Sequence, residues 1–148
     1  MIVEDFTPHA GEAEPLTLRD LQEIEDLYAT GDGGGIAFAP FQLETGFFRG
    51  VRHDNELVAV AGVHVVSNNE SVAGVGNIST RPDCRGHGLA KVVTSSVVAD
   101  LMAEGIRTVG LNVEHTNTPA IQVYERLGFR TRFHYFEGVA DRVSALPQ

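Results

Sequence analysis

The chain reads as an α+β domain: a mixed, mostly antiparallel sheet with helices on its faces. Three observations predict this. Apolar residues recur at helical spacing within the first thirty residues and again from His87 to Glu104. Between Phe47 and Thr80 the period changes to two. Beyond Gly105, short strand-like and helix-like runs alternate. With 148 residues, 43% of them apolar, one domain is expected. It divides into N-terminal helices and a loop over 1–46, a core over 47–137 and a tail over 138–148.

The elements follow in order. MIVEDFTPHAGEAEP starts apolar and turns polar, and Pro8 and Pro15 forbid one continuous element. In LTLRDLQEIEDLYA, Leu18, Leu21, Ile24, Leu27 and Tyr28 share a helical face, and Thr17 with Asp20 supplies an N-terminal cap. GDGGG, from Gly31 to Gly35, reads as a mobile loop, and APFQLETGFF holds a short helix. FFRGVRH, LVAVAGVHVV and SVAGVGNIST form three strands joined by turns at HDNE and SNNE. Leu89, Val93, Val97 and Leu101 mark a helix that Gly105 stops. The strand IRTVGLNV follows a helical crossover, so it lies parallel to its neighbour. A helix from Pro119 to Leu127 is expected, capped by Thr118 and ended by Gly128, and FRTRFHYFEG is the last strand. The order is α-α-β-β-β-α-β-α-β.

Composition narrows the function. The net charge is −9, and eight of the twenty carboxylates fall in the first thirty residues against Arg19 alone. A nucleic-acid binder would show a basic face instead, so no nucleic-acid partner is expected. The acidic front is a solvated face or a lure for a cationic substrate. No apolar run approaches the roughly 18–20 residues of a membrane span, and no leader stands out, so no membrane partner and a cytoplasmic location are expected. A single cysteine, Cys84, excludes an internal disulfide, and no metal site is expected.

One stretch carries chemistry. RPDCRGHGLAKVV places Arg85, Gly86 and Gly88 between a strand and a helix. The nucleoside-triphosphate loop fails, because Lys91 is followed by Val92, and GHGLAK lacks the last glycine of the dinucleotide fingerprint. What remains is Arg-x-x-Gly-x-Ala at a helix start, where converging N–H groups and the helix dipole suit a pyrophosphate. A glycine-rich turn without a ligand accounts for the same residues equally well. The strand feeding it favours the ligand: Gly74 and Gly76 fall on one face, bare enough for something to lie along it.

A strand ending IST, then RPDCRGHGLA, a helix, a strand LNV and NTPAIQVYERLGF resemble the GCN5-related N-acetyltransferases (GNAT), and most closely the FR47-like branch. Arg85, Gly88 and Ala90 meet that family's acyl-coenzyme A signature, and Asn117, Ala120, Tyr124, Glu125, Gly128 and Phe129 meet its second block. The likeness covers about Phe47 to Glu137. It implies an acetyltransferase fold, acetyl-coenzyme A (acetyl-CoA) as co-substrate and a primary amine, of a small molecule or a protein, as acceptor. It also implies that the backbone of Ile78, Ser79 and Thr80 holds the pantetheine arm, and that Arg85, Gly86, His87, Gly88, Leu89 and Ala90 hold the pyrophosphate. Asn117 and Ala120 would meet the arm near the second helix. Tyr124 would serve as general acid to the leaving thiolate. In isolation, Ile121, Tyr124 and Leu127 are also spaced as a core stripe.

Two features depart from the pattern. Where relatives place a glutamate base this chain has Asn112, which leaves His64 as the candidate base, with Glu114 and His115 near the mouth. A base acting through water remains open beside it. The chain ahead of the core is short, so the first strand is expected to be missing, borrowed or supplied by a partner, and an exposed edge would invite a homodimer. An acyl-CoA sensor without turnover is the reading from a different class.

Overall fold

A computed structural model of the chain describes residues 1–31, 38–138 and 140. Most of the glycine loop and the tail lie outside the described residues, so the expectations placed on them are not met by any observation. The strands are β1 (Ile2–Val3), β2 (Glu14–Pro15), β3 (Arg49–His53), β4 (Glu56–Ser67), β5 (Val72–Thr80), β6 (Thr108–Leu111) and β7 (Phe129–Arg130). The helices are α1 (Leu21–Ala29), α2 (Leu89–Ala103) and α3 (Thr118–Arg126), and 3₁₀ turns occupy Leu18–Asp20, Pro40–Thr45 and Pro82–Cys84. All seven strands share one sheet in the order β2-β3-β4-β5-β6-β1-β7. Only β5 and β6 run parallel. The α+β expectation is met.

Local chemistry explains the elements. Thr17 accepts from the Arg19 N–H while Asp20 accepts from the Thr17 N–H at 2.8 Å, a reciprocal cap at the start of the first helical turn. Asp54 and Asn55 both adopt positive φ (50° and 64°), the pair that a tight two-residue hairpin between β3 and β4 demands. α1 packs on β4 and β5, while α2 crosses β3, β4 and β5 and meets α3. Tyr28, Phe38 and Phe48 stack edge to face at 5.2 and 5.8 Å. Phe48, Ile24, Leu101, Leu127 and Phe129 are fully buried, each contributing about 1.5–3 kcal/mol through removal from water.

Three expectations change. The cap of α3 is Asn117, whose Oδ1 accepts from the Ala120 N–H at 3.2 Å; Thr118 is already in the first turn. The strand expected from Phe129 to Gly138 ends at Arg130, because its neighbour β1 offers only Ile2 and Val3 as partners. Phe133, Tyr135 and Phe136 beyond it are exposed. Nor is a first strand missing. Glu14–Pro15 pairs with β3 at one edge, and Ile2–Val3 inserts between β6 and β7. Two-residue strands leave almost no periodic trace, so the sequence pattern passed over both.

Candidate functional site

The central feature is a fork in the sheet. β5 and β6 pair from Val72–Thr108 to Val75–Leu111 and then part. β5 continues to Thr80 with β4 still beside it, Gly76 opposite Gly62 and Thr80 opposite Ala59. Its other edge, from Gly76 to Thr80, has no strand partner among the described residues. The Ile78 and Ser79 backbone on that edge meets no strand, and the Thr80 carbonyl accepts from Arg85 Nε at 3.3 Å; such an edge is where an extended ligand can take ladder hydrogen bonds.

Two bulges bend this fork. Between the pairs Gly62–Gly76 and Val60–Ser79, β5 carries one extra residue. Asn77 lies there with φ of 54°, a left-handed conformation that asparagine tolerates better than most side chains. Between Val63–Val75 and Val65–Gly74, β4 carries the extra residue His64. The exposed imidazole of His64 lies directly over Gly76, where a Cβ would overlap the ring. The two glycines share one face as expected, but it is not bare: the His64 ring covers Gly76 and the Val65 side chain lies beside Gly74, so both are packed against neighbours on β4.

A buried amide pair holds both bulges. Asn77 is 4% exposed and Gln42 6%. Asn77 Nδ2 donates to Gln42 Oε1 at 3.0 Å and to the Val63 carbonyl at 3.2 Å. Gln42 Nε2 donates to the His64 carbonyl at 3.2 Å, and the Tyr28 hydroxyl donates to the Asn77 carbonyl at 2.7 Å. Burial pushes the Tyr28 phenol far above its ordinary range. Sequence reasoning missed Tyr28, Gln42 and Asn77 as site residues. An asparagine after glycine inside a strand was the one available sign; Gln42 gave none.

Downstream of the fork, the Arg85–Ala90 loop has the features of an anion cradle. Gly86 and Gly88 sit at φ of 81° and 76° with open space where a side chain would be. No side chain caps α2, and its first backbone bond runs from the Val92 N–H to the Gly88 carbonyl at 3.1 Å. The preceding N–H groups of that turn are thus without helical acceptors. Arg85 and Lys91 have no carboxylate partner among the described residues. Arg81 braces the turn instead, against Asp83 at 2.7 Å and Glu56 at 2.6 Å. His87 turns its Nδ1 back to the Cys84 carbonyl at 3.1 Å. Thr80 Oγ1 is buried without a hydrogen-bond partner. An unpaired strand edge running into an uncapped helix start fits an extended ligand with a phosphate.

Tyr124 is 8% exposed and packs edge-on against Phe129 at 6.1 Å. Burial pushes its phenol up to about 12, so it stays protonated and can donate but not accept a proton near neutrality. Asn117 has its Oδ1 committed to the α3 cap, beside Ala120. Asn112, Glu114 and His115 are exposed between β6 and α3. The fork gathers His64 and Ile78–Thr80; the described hydrogen bonds draw neither Glu114 nor His115 to it. No group of three metal-ligating side chains occurs among the described residues. A recess of about 670 Å³ lies elsewhere, between the β2–β3 edge and α2. Its Arg49 is fully engaged by Asp100 (2.6 and 2.9 Å) and the Ala13 carbonyl (3.1 Å).

The sequence model of the acetyltransferase (GNAT) family matches residues 14–129. The mycothiol acetyltransferase of Actinosynnema mirum is 35% identical over 109 residues, 74% of this chain and 31% of that protein. Its counterpart in Streptomyces avermitilis is 34% identical over 125 residues, 83% of this chain and 35% of that protein. The chain thus spans about a third of the length of these relatives. Among solved structures, a GNAT-family protein of Novosphingobium aromaticivorans superposes with a TM-score of 0.74 at 31% identity, over 88% of this chain and 58% of that one.

Proposed function

Because the chain belongs to the acetyltransferase (GNAT) family, we propose that it moves an acetyl group from acetyl-CoA to a primary amine. The observation that carries this reading is the fork: a bare β5 edge from Gly76 to Thr80 leading straight to an uncapped helix start at Gly88. When bound, acetyl-CoA supplies the activated acyl group. Ile78, Ser79 and Thr80 hold its extended arm through backbone bonds, and Arg85 to Ala90 hold the pyrophosphate through N–H groups and the Arg85 guanidinium. Asn117 and Ala120 line the far side of the arm.

The chemistry needs one N–C bond made, one C–S bond broken and one proton carried from nitrogen to sulfur. His64 takes the amine proton, directly or through a water, and Tyr124 donates towards the departing sulfur. A thiol of ordinary pKa about 8.5 asks little of that donor, so most acceleration comes from positioning the two reactants. The acceptor is an amine of a small molecule or a peptide, and the acidic first thirty residues favour a cationic one. We assign the chain to the FR47-like branch on its second block and to the cytoplasm on its composition.

The test is the melting temperature with acetyl-CoA, with ATP and NAD as controls. A hundredfold excess over Kd should add about 2.7 kcal/mol. A shift with acetyl-CoA alone supports transfer and leads to amine screening by thiol release; no shift in folded protein removes the coenzyme. A sensor would bind and release no thiol with any amine. In an active enzyme, His64→Ala should lower kcat while leaving the acetyl-CoA melting shift unchanged.

A further inference from the structure

We propose that Gln42 is a positioning residue that sets His64 and the Asn77 bulge as one unit; this rests on the acyl-transfer reading above. Gln42 lies in the Pro40–Thr45 turn, outside the strands it serves. Its Oε1 accepts from Asn77 Nδ2 (3.0 Å) and from the Ala39 N–H (3.0 Å), and its Nε2 donates to the His64 carbonyl (3.2 Å). One side chain therefore ties the extra residue of β4 to the extra residue of β5. The orientation of both amides is determined by their partners. Asn77 Nδ2 spends both protons on oxygens, Gln42 Oε1 and the Val63 carbonyl, and a flipped Gln42 would set its NH₂ against two donors.

The consequence follows from what each bulge presents. His64 carries the imidazole that lies on Gly76, the first β5 residue beyond the last β5–β6 pair. The Asn77 bulge turns the β5 backbone out of register with β4 where the bare edge begins. Both are strained or extra residues, and such features persist only where surrounding contacts over-determine them. A shift of the Pro40–Thr45 turn would move base and backbone together. Gln42 touches neither reactant; it acts through the His64 carbonyl and the Asn77 amide.

Gln42→Met retains much of the side-chain bulk and removes every hydrogen bond. In the wild-type protein, nuclear Overhauser contacts between the His64 ring and the Gly76 α-protons should be present; in Gln42→Met they should vanish. Thiol release from acetyl-CoA, with spermidine and an alanyl peptide as acceptors, should fall at least tenfold in kcat, and the KM for acetyl-CoA should rise more than twofold, because the β5 edge that holds its arm shifts with the Asn77 bulge. His64→Ala should then cost less than twofold on the Gln42→Met background, against its full effect in the wild type. Persisting ring contacts in Gln42→Met, or a His64→Ala penalty equal in both backgrounds, would overturn the proposal. Should Gln42→Met melt below the assay temperature, Gln42→Glu, which keeps an acceptor for Asn77 and the Ala39 N–H but turns an oxygen towards the His64 carbonyl in place of the donor, is read by the same criteria. If the wild type neither shifts its melting with acetyl-CoA nor releases thiol, the acyl-transfer reading falls; the ring contacts still decide whether Gln42 holds His64.

Discussion

Tyr124 and Thr80 carry the tests of the proposed function at the scale of single residues. The Tyr124 phenol, pushed up to about 12 by burial, is neutral throughout the working range and can act only as a donor. Tyr124→Phe should therefore lower kcat by about 10²–10⁴-fold, the usual scale for a general acid, with the acetyl-CoA melting shift retained. Thr80→Val makes a prediction of opposite signs. Its hydroxyl is buried without a partner in the free chain, so the valine should raise the melting temperature by the equivalent of about 1 kcal/mol. The same change should shrink the shift that acetyl-CoA produces; an unchanged shift would show that the hydroxyl does not reach the ligand. The phenol also sets an alkaline limit. Its folded value lies above the free value of 10, so the neutral form favours folding. That contribution is complete below pH 10 and is lost as pH climbs to about 12; denaturation midpoints across that window should fall, and fall less in Tyr124→Phe. Tyr124 was legible in the sequence through its local motif, and its burial through the Ile121–Tyr124–Leu127 core spacing, which the structure bears out at Tyr124 and Leu127.

At the scale of elements, the β5–loop–α2 unit carries the site. Gly88 stands at φ of 76° before a helix that no side chain caps. Gly88→Val should destabilise the chain by about 1–3 kcal/mol through backbone strain and weaken acetyl-CoA binding more than it weakens folding, read as the melting shift at fixed ligand. Equal losses in the free and liganded forms would mean that the loop's conformation matters for folding alone. This element was readable residue by residue, since strand, glycines and helix follow one another without a gap. The last strand was not. The alternating aromatics of FRTRFHYF satisfy the strand pattern, yet a strand requires a neighbour, and pairing stops after Arg130. The two bulges were equally hidden, because a bulge is a relation between two strands and leaves no signature in either one alone.

Over the whole molecule, the acidic first thirty residues are tied into the fold by a distant cation. Arg52 on β3 reaches Glu14, Asp20 at 2.8 Å and Glu23 at 2.5 Å, and the Glu23 hydrogen bond is the first cause that holds its guanidinium charged. Arg52→Ala should cost about 1 kcal/mol, an amount that shrinks in high salt, because three carboxylates are left facing one another across a partly exposed surface. A loss independent of salt would mark the role as packing. Chain order and local chemistry settled the α+β class, the meander, the parallel crossover and the glycine-rich turn between β5 and α2, since each depends on residues within a few positions of one another. Tertiary structure alone decided the rest. It put Ile2–Val3 between β6 and β7, opened β5 from β6 past Val75, and brought Gln42, His64 and Asn77 into one hydrogen-bonded group. These contacts join residues 22 to 128 positions apart; no local periodicity can encode which distant backbone a buried amide will meet.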